Sequence, residues 1–380
     1  MKPVLPCSNT PSSRRDFLKG LGAAFAFPIL AGCDFNQSAK QNDIFLGAAG
    51  GKTGEFSLSW LKGSGHDNGH YQTNFRGHGL TRHPVHPHLV LMFSRRPGNE
   101  GVLINTQTNN IEHRFKSPDH LFMEGHGCFS HDGKYLFCTE SNRHTIQGII
   151  TVRETDTFSV IHEWHSGGIG PHEIQIMPNK NTLVIANGGL IKNSDGKVIN
   201  VDTMQSNVAM LDHTTGELTA NHTVQNTKAS LRHLDISEDC IVAVAMQIQD
   251  YNSESSSALA KLIYLDGTST LLDAPPEVLN MMKGYVGSVR INSKFRTAAF
   301  TSPRGDIALF WNIDNGHYLG HHLFHNVCGV TINNNEEYFV LSNSAGKIRH
   351  INSSTLLENT DLRQHLPHTQ WDNHLITASC

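Results

Sequence analysis

The chain has 380 residues, with 30 Lys and Arg against 34 Asp and Glu, a net charge of −4 at pH 7. Residues 1–32 hold Lys2, Arg14, Arg15 and Lys19 against Asp16, so the remainder is near −7, and no basic stripe is left for nucleic acid. Seven cysteines without a C-x-x-C exclude a dense disulfide scaffold and a redox dithiol motif.

The first element is a leader. Ser13-Arg14-Arg15-Asp16-Phe17-Leu18-Lys19 reads as a twin-arginine export signal with Arg14 and Arg15 at its centre. The apolar stretch from Gly20 to Ile29 is too short to span a bilayer and reads as a signal h-region. Leu30-Ala31-Gly32-Cys33 fits a lipoprotein box. Residues 1–32 are then a cleaved signal peptide, Cys33 is the lipidation site, and residues 33–42 form a polar tether. A lipidated cysteine carries several acyl chains, and two or more anchor a protein stably in the bilayer. Asp34 resembles an inner-membrane retention signal, so the expected location is periplasmic and lipid-anchored to the inner membrane. Plain cleavage would instead release a soluble protein.

Residues 43–380 read as one β domain. One unit recurs: a His or Gly opens a strand, a polar turn follows, and a second strand ends in small or polar residues. His126 to Ser130 leads through His131-Asp132-Gly133-Lys134 into Tyr135 to Glu140. His172 to Ile176 leads through Pro178-Asn179-Lys180-Asn181 into Thr182 to Asn187, and His233 to Ile236 into Cys240 to Ala245. His78, Gly287 and Gly329 open three more units. Alternation, β-branched content and turn chemistry make these hairpins. Openings ~40–60 residues apart are the mark of a β-propeller. A seventh blade can be assembled from Asp43 to Ala49 and His374 to Ala378, closing the ring with strands from both termini and removing open sheet edges. The expected fold is all-β, a propeller of about seven blades; a β-sandwich would leave the even spacing unexplained. Cys128 and Cys138 flank one turn and could face each other, although folding before export favours two buried free thiols.

The 25 histidines are out of proportion to the rest of the composition. In a propeller the first strand of each blade lines the central channel. His78, His126, His172 and His233, at the heads of four consecutive units, could therefore converge on one axis. Imidazoles on a rigid wall suit iron, copper or zinc, and Glu173 is placed to add a carboxylate. Glu124 and Arg232 stand beside His126 and His233 as orienting or anion-binding groups. The competing role is structural, since Gly-His before a strand also ties blades together in WD-type propellers. A cationic set, Arg95 and Arg96, Arg304 and, one unit away, Arg290, suits carboxylate or phosphate recognition, against the alternative of solvated turn arginines.

Several motifs carry a resemblance: Gly125-His126-Gly127 with Ser130-His131-Asp132-Gly133, Gly170-Pro171-His172-Glu173, Ala186-Asn187-Gly188-Gly189, Ser230-Leu231-Arg232-His233, Tyr285-Val286-Gly287-Ser288 and Thr301-Ser302-Pro303-Arg304-Gly305. Together they resemble a family of twin-arginine-exported bacterial propellers known as a domain of unknown function. Its members are typically encoded beside imelysin-type iron-regulated proteins and a di-haem thiol oxidoreductase-like protein. The resemblance spans nearly all of the mature chain and implies a periplasmic role near iron or another metal, where periplasmic iron-uptake proteins could be partners. It carries over no active site. Two functions follow as expectations: a binding module for metal handling or uptake, or a metal-dependent oxidoreductase or hydrolase built on the histidines.

Overall fold

The computed structural model describes residues 43–379 apart from 51–53, 64, 66, 194–195, 225 and 253–256. Arg14, Arg15 and Cys33 lie outside the described residues. Seven four-stranded antiparallel sheets follow one another as the blades of a propeller. In chain order the innermost strands are Gly77–Arg82 (blade 1), Leu121–Phe129 (blade 2), Pro171–Ile176 (blade 3), Ala229–Ile236 (blade 4), Ser288–Asn292 (blade 5) and Val327–Ile332 (blade 6). Each touches the innermost strand of the next blade around the ring.

Blade 7 takes strands from both ends of the chain. Its innermost strand is Ile376–Ser379, paired antiparallel to Asp43–Gly50 through Asp43↔Ser379 and Leu46↔Ile376. Trp371, bridged to Ala49 and packed with Phe45, Cys328 and Leu375, seals that seam. Gly47 lets it do so: a Cβ there would lie 2.8 Å from the Trp371 ring and 2.9 Å from the His374 carbonyl.

The core sits between blades, because each sheet buries both faces against its neighbours. Leu91 and Phe93 of blade 1 pack on Met123, Phe129 and Cys138 of blade 2. Outermost strands alternate instead, as in Tyr318–Leu323, where every second residue is exposed. Among the described residues the one α-helix, Pro276–Met281, caps blade 5, burying Val278 and Leu279.

Register settles the cysteines. Cys138 pairs with Gly127 and Cys128 with Phe137, so the two thiols are one residue out of step and point to opposite faces of the sheet. Cys138 belongs to the blade 1–2 core and Cys128 to the blade 2–3 core; both are buried and free.

Candidate metal centre

The sequence places histidines at strand heads, and the structure refines this: they sit in β-bulges. The inner-strand ladder slips between Gly77 and Leu80 in blade 1, Met123 and Gly127 in blade 2, Pro171 and Ile174 in blade 3, and Leu231 and Leu234 in blade 4. His78, His126, His172 and His233 each lie inside one of these slips. In blade 2 the strand starts at Leu121, five residues before its histidine. A bulge sets extra residues against one partner and re-aims a side chain out of the sheet's alternation, here toward the axis. Blade 6 slips at the same level, with Cys328 and Gly329 there, and blade 5 stays in register. Close packing of the bulges needs glycine: Gly125 has φ +106°, and a Cβ on Gly79 would fall 2.6 Å from His126 Nδ1.

The four imidazoles converge. Ring centroids are 4.9 Å apart for His78 and His126, 4.7 Å for His126 and His172, and 4.8 Å for His172 and His233. A fifth ring joins them. His374 lies 4.7 Å from His78, 4.7 Å from His126 and 4.6 Å from His233. It stands two residues before the inner strand of blade 7, whereas its partners lie within their strands. In the sequence it heads the C-terminal strand as they head their units, so the same rule could have found it.

All five rings are buried. Burial, then mutual repulsion with one another, holds His126, His172, His233 and His374 well below the usual imidazole range. Burial lowers His78 too, but Asp372 offsets part of this. His126, His172, His233 and His374 thus favour the neutral form, the one that binds metal. Burial by itself would raise Asp372, and His78, Arg76 and Arg95 together overcome this and hold it below the carboxylate range. Glu173 is pushed up to about 8 by burial and by Asp235.

The cluster is short of hydrogen bonds. Glu173 Oε2 lies 3.0 Å from His233 Nδ1, and Oε1 lies 3.8 Å from His126 Nδ1. His78 Nδ1 is 3.4 Å from Asp372 Oδ1, outside hydrogen-bond geometry. Buried ring nitrogens of His126 (Nε2), His172 (Nδ1) and His374 (Nε2) have no hydrogen-bond partner, and His78 Nδ1 has only the Asp372 carboxylate at 3.4 Å. Each such orphan costs ~1–3 kcal/mol. Structural ties would have their hydrogen bonds made.

Two sets of donors fit an ion: His126, Glu173, His233 and His374, and His78, His126 and His172, with donor atoms in each set within 4.8 Å of one another. Metal–nitrogen bonds of ~2.0–2.1 Å put tetrahedral ligands ~3.4 Å apart. Rotamer adjustments below ~1 Å per side chain would therefore close either set.

The arginines divide. Arg95, Arg96, Arg232 and Arg304 line one cavity of about 470 Å³ together with His78, His172 and His233. Arg290 lies at the other end of the channel, in a cavity of about 460 Å³ with Arg82, His126 and Glu173. There it pairs with Asp235 at 3.2 Å. It sits within the unslipped inner strand of blade 5, below the level of the bulges, so it does not join the other four. The five-histidine layer thus separates a cationic mouth from a mixed one.

These features define a class: a seven-bladed propeller with five buried imidazoles gathered in its channel. The chain belongs to the family described as "Protein of unknown function (DUF1513)", whose model matches residues 71–378. Among solved structures it is similar to hydrazine synthase from Kuenenia stuttgartiensis, at 13% identity and a TM-score of 0.60, over 76% of this chain and 88% of that one. At that identity the likeness is one of fold. No curated protein matches the chain in sequence.

Proposed function

We propose that this protein is a periplasmic, lipid-anchored propeller that binds a transition metal on the imidazoles of its channel and serves metal handling or uptake. One observation carries the reading: five buried imidazoles and Glu173 gather into two donor sets whose ligand atoms lie within 4.8 Å of one another. Imidazoles with one carboxylate suit iron, copper or zinc. Iron is favoured by the gene neighbours of the family that the chain resembles, and periplasmic iron-uptake proteins are the proposed partners. The location rests on the Arg14-Arg15 motif and the box ending at Cys33. Elemental analysis of untagged protein, purified from an exporting host, tests the proposal. Retained iron, copper or zinc that falls away in His126→Ala and His233→Ala supports it. Wild-type protein that neither carries nor takes up any of the three overturns it.

A second reading, a metal-dependent oxidoreductase or hydrolase, is favoured by one feature. His78, His172 and His233 also line the 470 Å³ cavity, so a small molecule there reaches the imidazoles directly. A loaded protein whose optical spectrum changes reversibly with reductant, or which hydrolyses model esters in proportion to its metal content, would favour this reading.

A further inference from the structure

The cationic mouth contains a charge without a counter-ion. Arg232 lies inside the blade 4 bulge, 4% exposed, beside His233. Its Nε and Nη1 are buried and donate to nothing, and among the described residues no carboxylate forms an ion pair with it. The nearby acids are engaged: Glu124 accepts from Ser141 at 2.7 Å and Arg96 at 3.4 Å, and Asp372 accepts from Arg76 at 2.6 Å and pairs with Arg95 at 3.5 Å. Isolated buried charges are too costly to persist without pairing.

The wall of the same cavity adds only positive charge. Arg95, Arg96, Lys192 and Arg304 surround it, and Arg304 rests on the Tyr285 ring at 4.6 Å instead of on an acid. Tyr285 and Asn373, hydrogen-bonded to each other at 2.8 Å, add neutral polar groups to the lining, as do Gln247 and Gln249. A volume of about 470 Å³ admits a small molecule and excludes a macromolecule.

We infer that this mouth binds a small, multiply charged oxyanion, with the Arg232 guanidinium at its floor and Arg95, Arg96, Arg304 and Lys192 around its rim. Guanidinium forks hold two oxygens of a carboxylate or a phosphate at once, and rim cations draw the anion in. The site does not depend on the metal reading, because Arg232 lacks a partner whether or not an ion sits on the imidazoles.

The test is calorimetric titration of metal-free, full-length protein with oxalate, citrate, inorganic phosphate and pyrophosphate in separate arms. At least one of the four is expected to bind, more weakly as KCl rises from ~50 to ~200 mM. The arms identify carboxylate or phosphate as the source. Arg232→Met should weaken binding by ~30-fold or more without lowering the melting temperature, since it removes an unpaired buried charge. Arg304→Ala, at the exposed rim, should weaken it by less than ~10-fold. Failure of all four anions to bind wild-type protein, or unchanged binding by both variants, overturns the inference. Neither result bears on metal content, so the two proposals fail separately.

Discussion

His126 belongs to both donor sets, and its Nε2 is buried without a partner. His126→Leu should therefore stabilise the metal-free protein while abolishing its response to metal. Removing the orphaned nitrogen recovers ~1–3 kcal/mol. The change of shape costs up to ~1.5 kcal/mol, since leucine is branched where imidazole is flat. The expected net gain is ~1 kcal/mol. With ~2.1 cal/mol/K of unfolding entropy per residue, a propeller of about 340 residues gains ~1–2 °C in melting temperature per kcal/mol. Wild-type protein given metal at ~100 times its Kd should gain ~2.7 kcal/mol, or ~4 °C. Scanning calorimetry with chelator, then with iron, copper or zinc, should rank loaded wild type first, His126→Leu second in either condition, and metal-free wild type last. A variant that melts several degrees below metal-free wild type and still responds fully to metal would mean that His126 is a structural tie.

Three further expectations concern closure, pH and location. Trp371→Ala should cost ~3–5 kcal/mol, and deleting residues 371–380 should cost more because it unpairs Asp43–Gly50; denaturant unfolding would show this, and an unchanged midpoint would count against closure through blade 7. His350, buried against Phe45 and Tyr338, is pushed down to about 4 by burial, whereas in the unfolded chain it titrates near ~6.5. The unfolded chain therefore takes up the proton first: this stability is intact above pH ~6.5 and is lost as pH falls toward ~4, by up to ~3 kcal/mol. His350→Phe should flatten that part of the urea-melt profile, and parallel wild-type and variant curves would refute the assignment. Cys33→Ala should move exported protein to the soluble fraction, and Arg14→Lys with Arg15→Lys should leave precursor in the cytoplasm, as cell fractionation would show.

The propeller was readable in the sequence because a blade is a local object. Its strands are neighbours in the chain, its turns announce themselves, and repetition at an even spacing leaves few other architectures. His78, His126, His172 and His233 were readable for the same reason, each holding the same place in its own unit. His374 was readable at the head of the C-terminal strand of blade 7 but not among the converging histidines, because that blade is split between the termini and has no hairpin of its own to align with the other units. What only the tertiary structure decided depends on register and depth, which no local pattern encodes. A one-residue offset sends Cys128 and Cys138 to opposite faces. Bulges turn the histidines to the axis, while an unbroken strand leaves Arg290 at the far mouth. Arg232 and Arg304 look alike as letters, yet one is buried without a partner and the other is exposed on a tyrosine ring. Their surroundings come from blades far apart in the chain, and those surroundings decide whether a charge is solvated or left without a counter-ion.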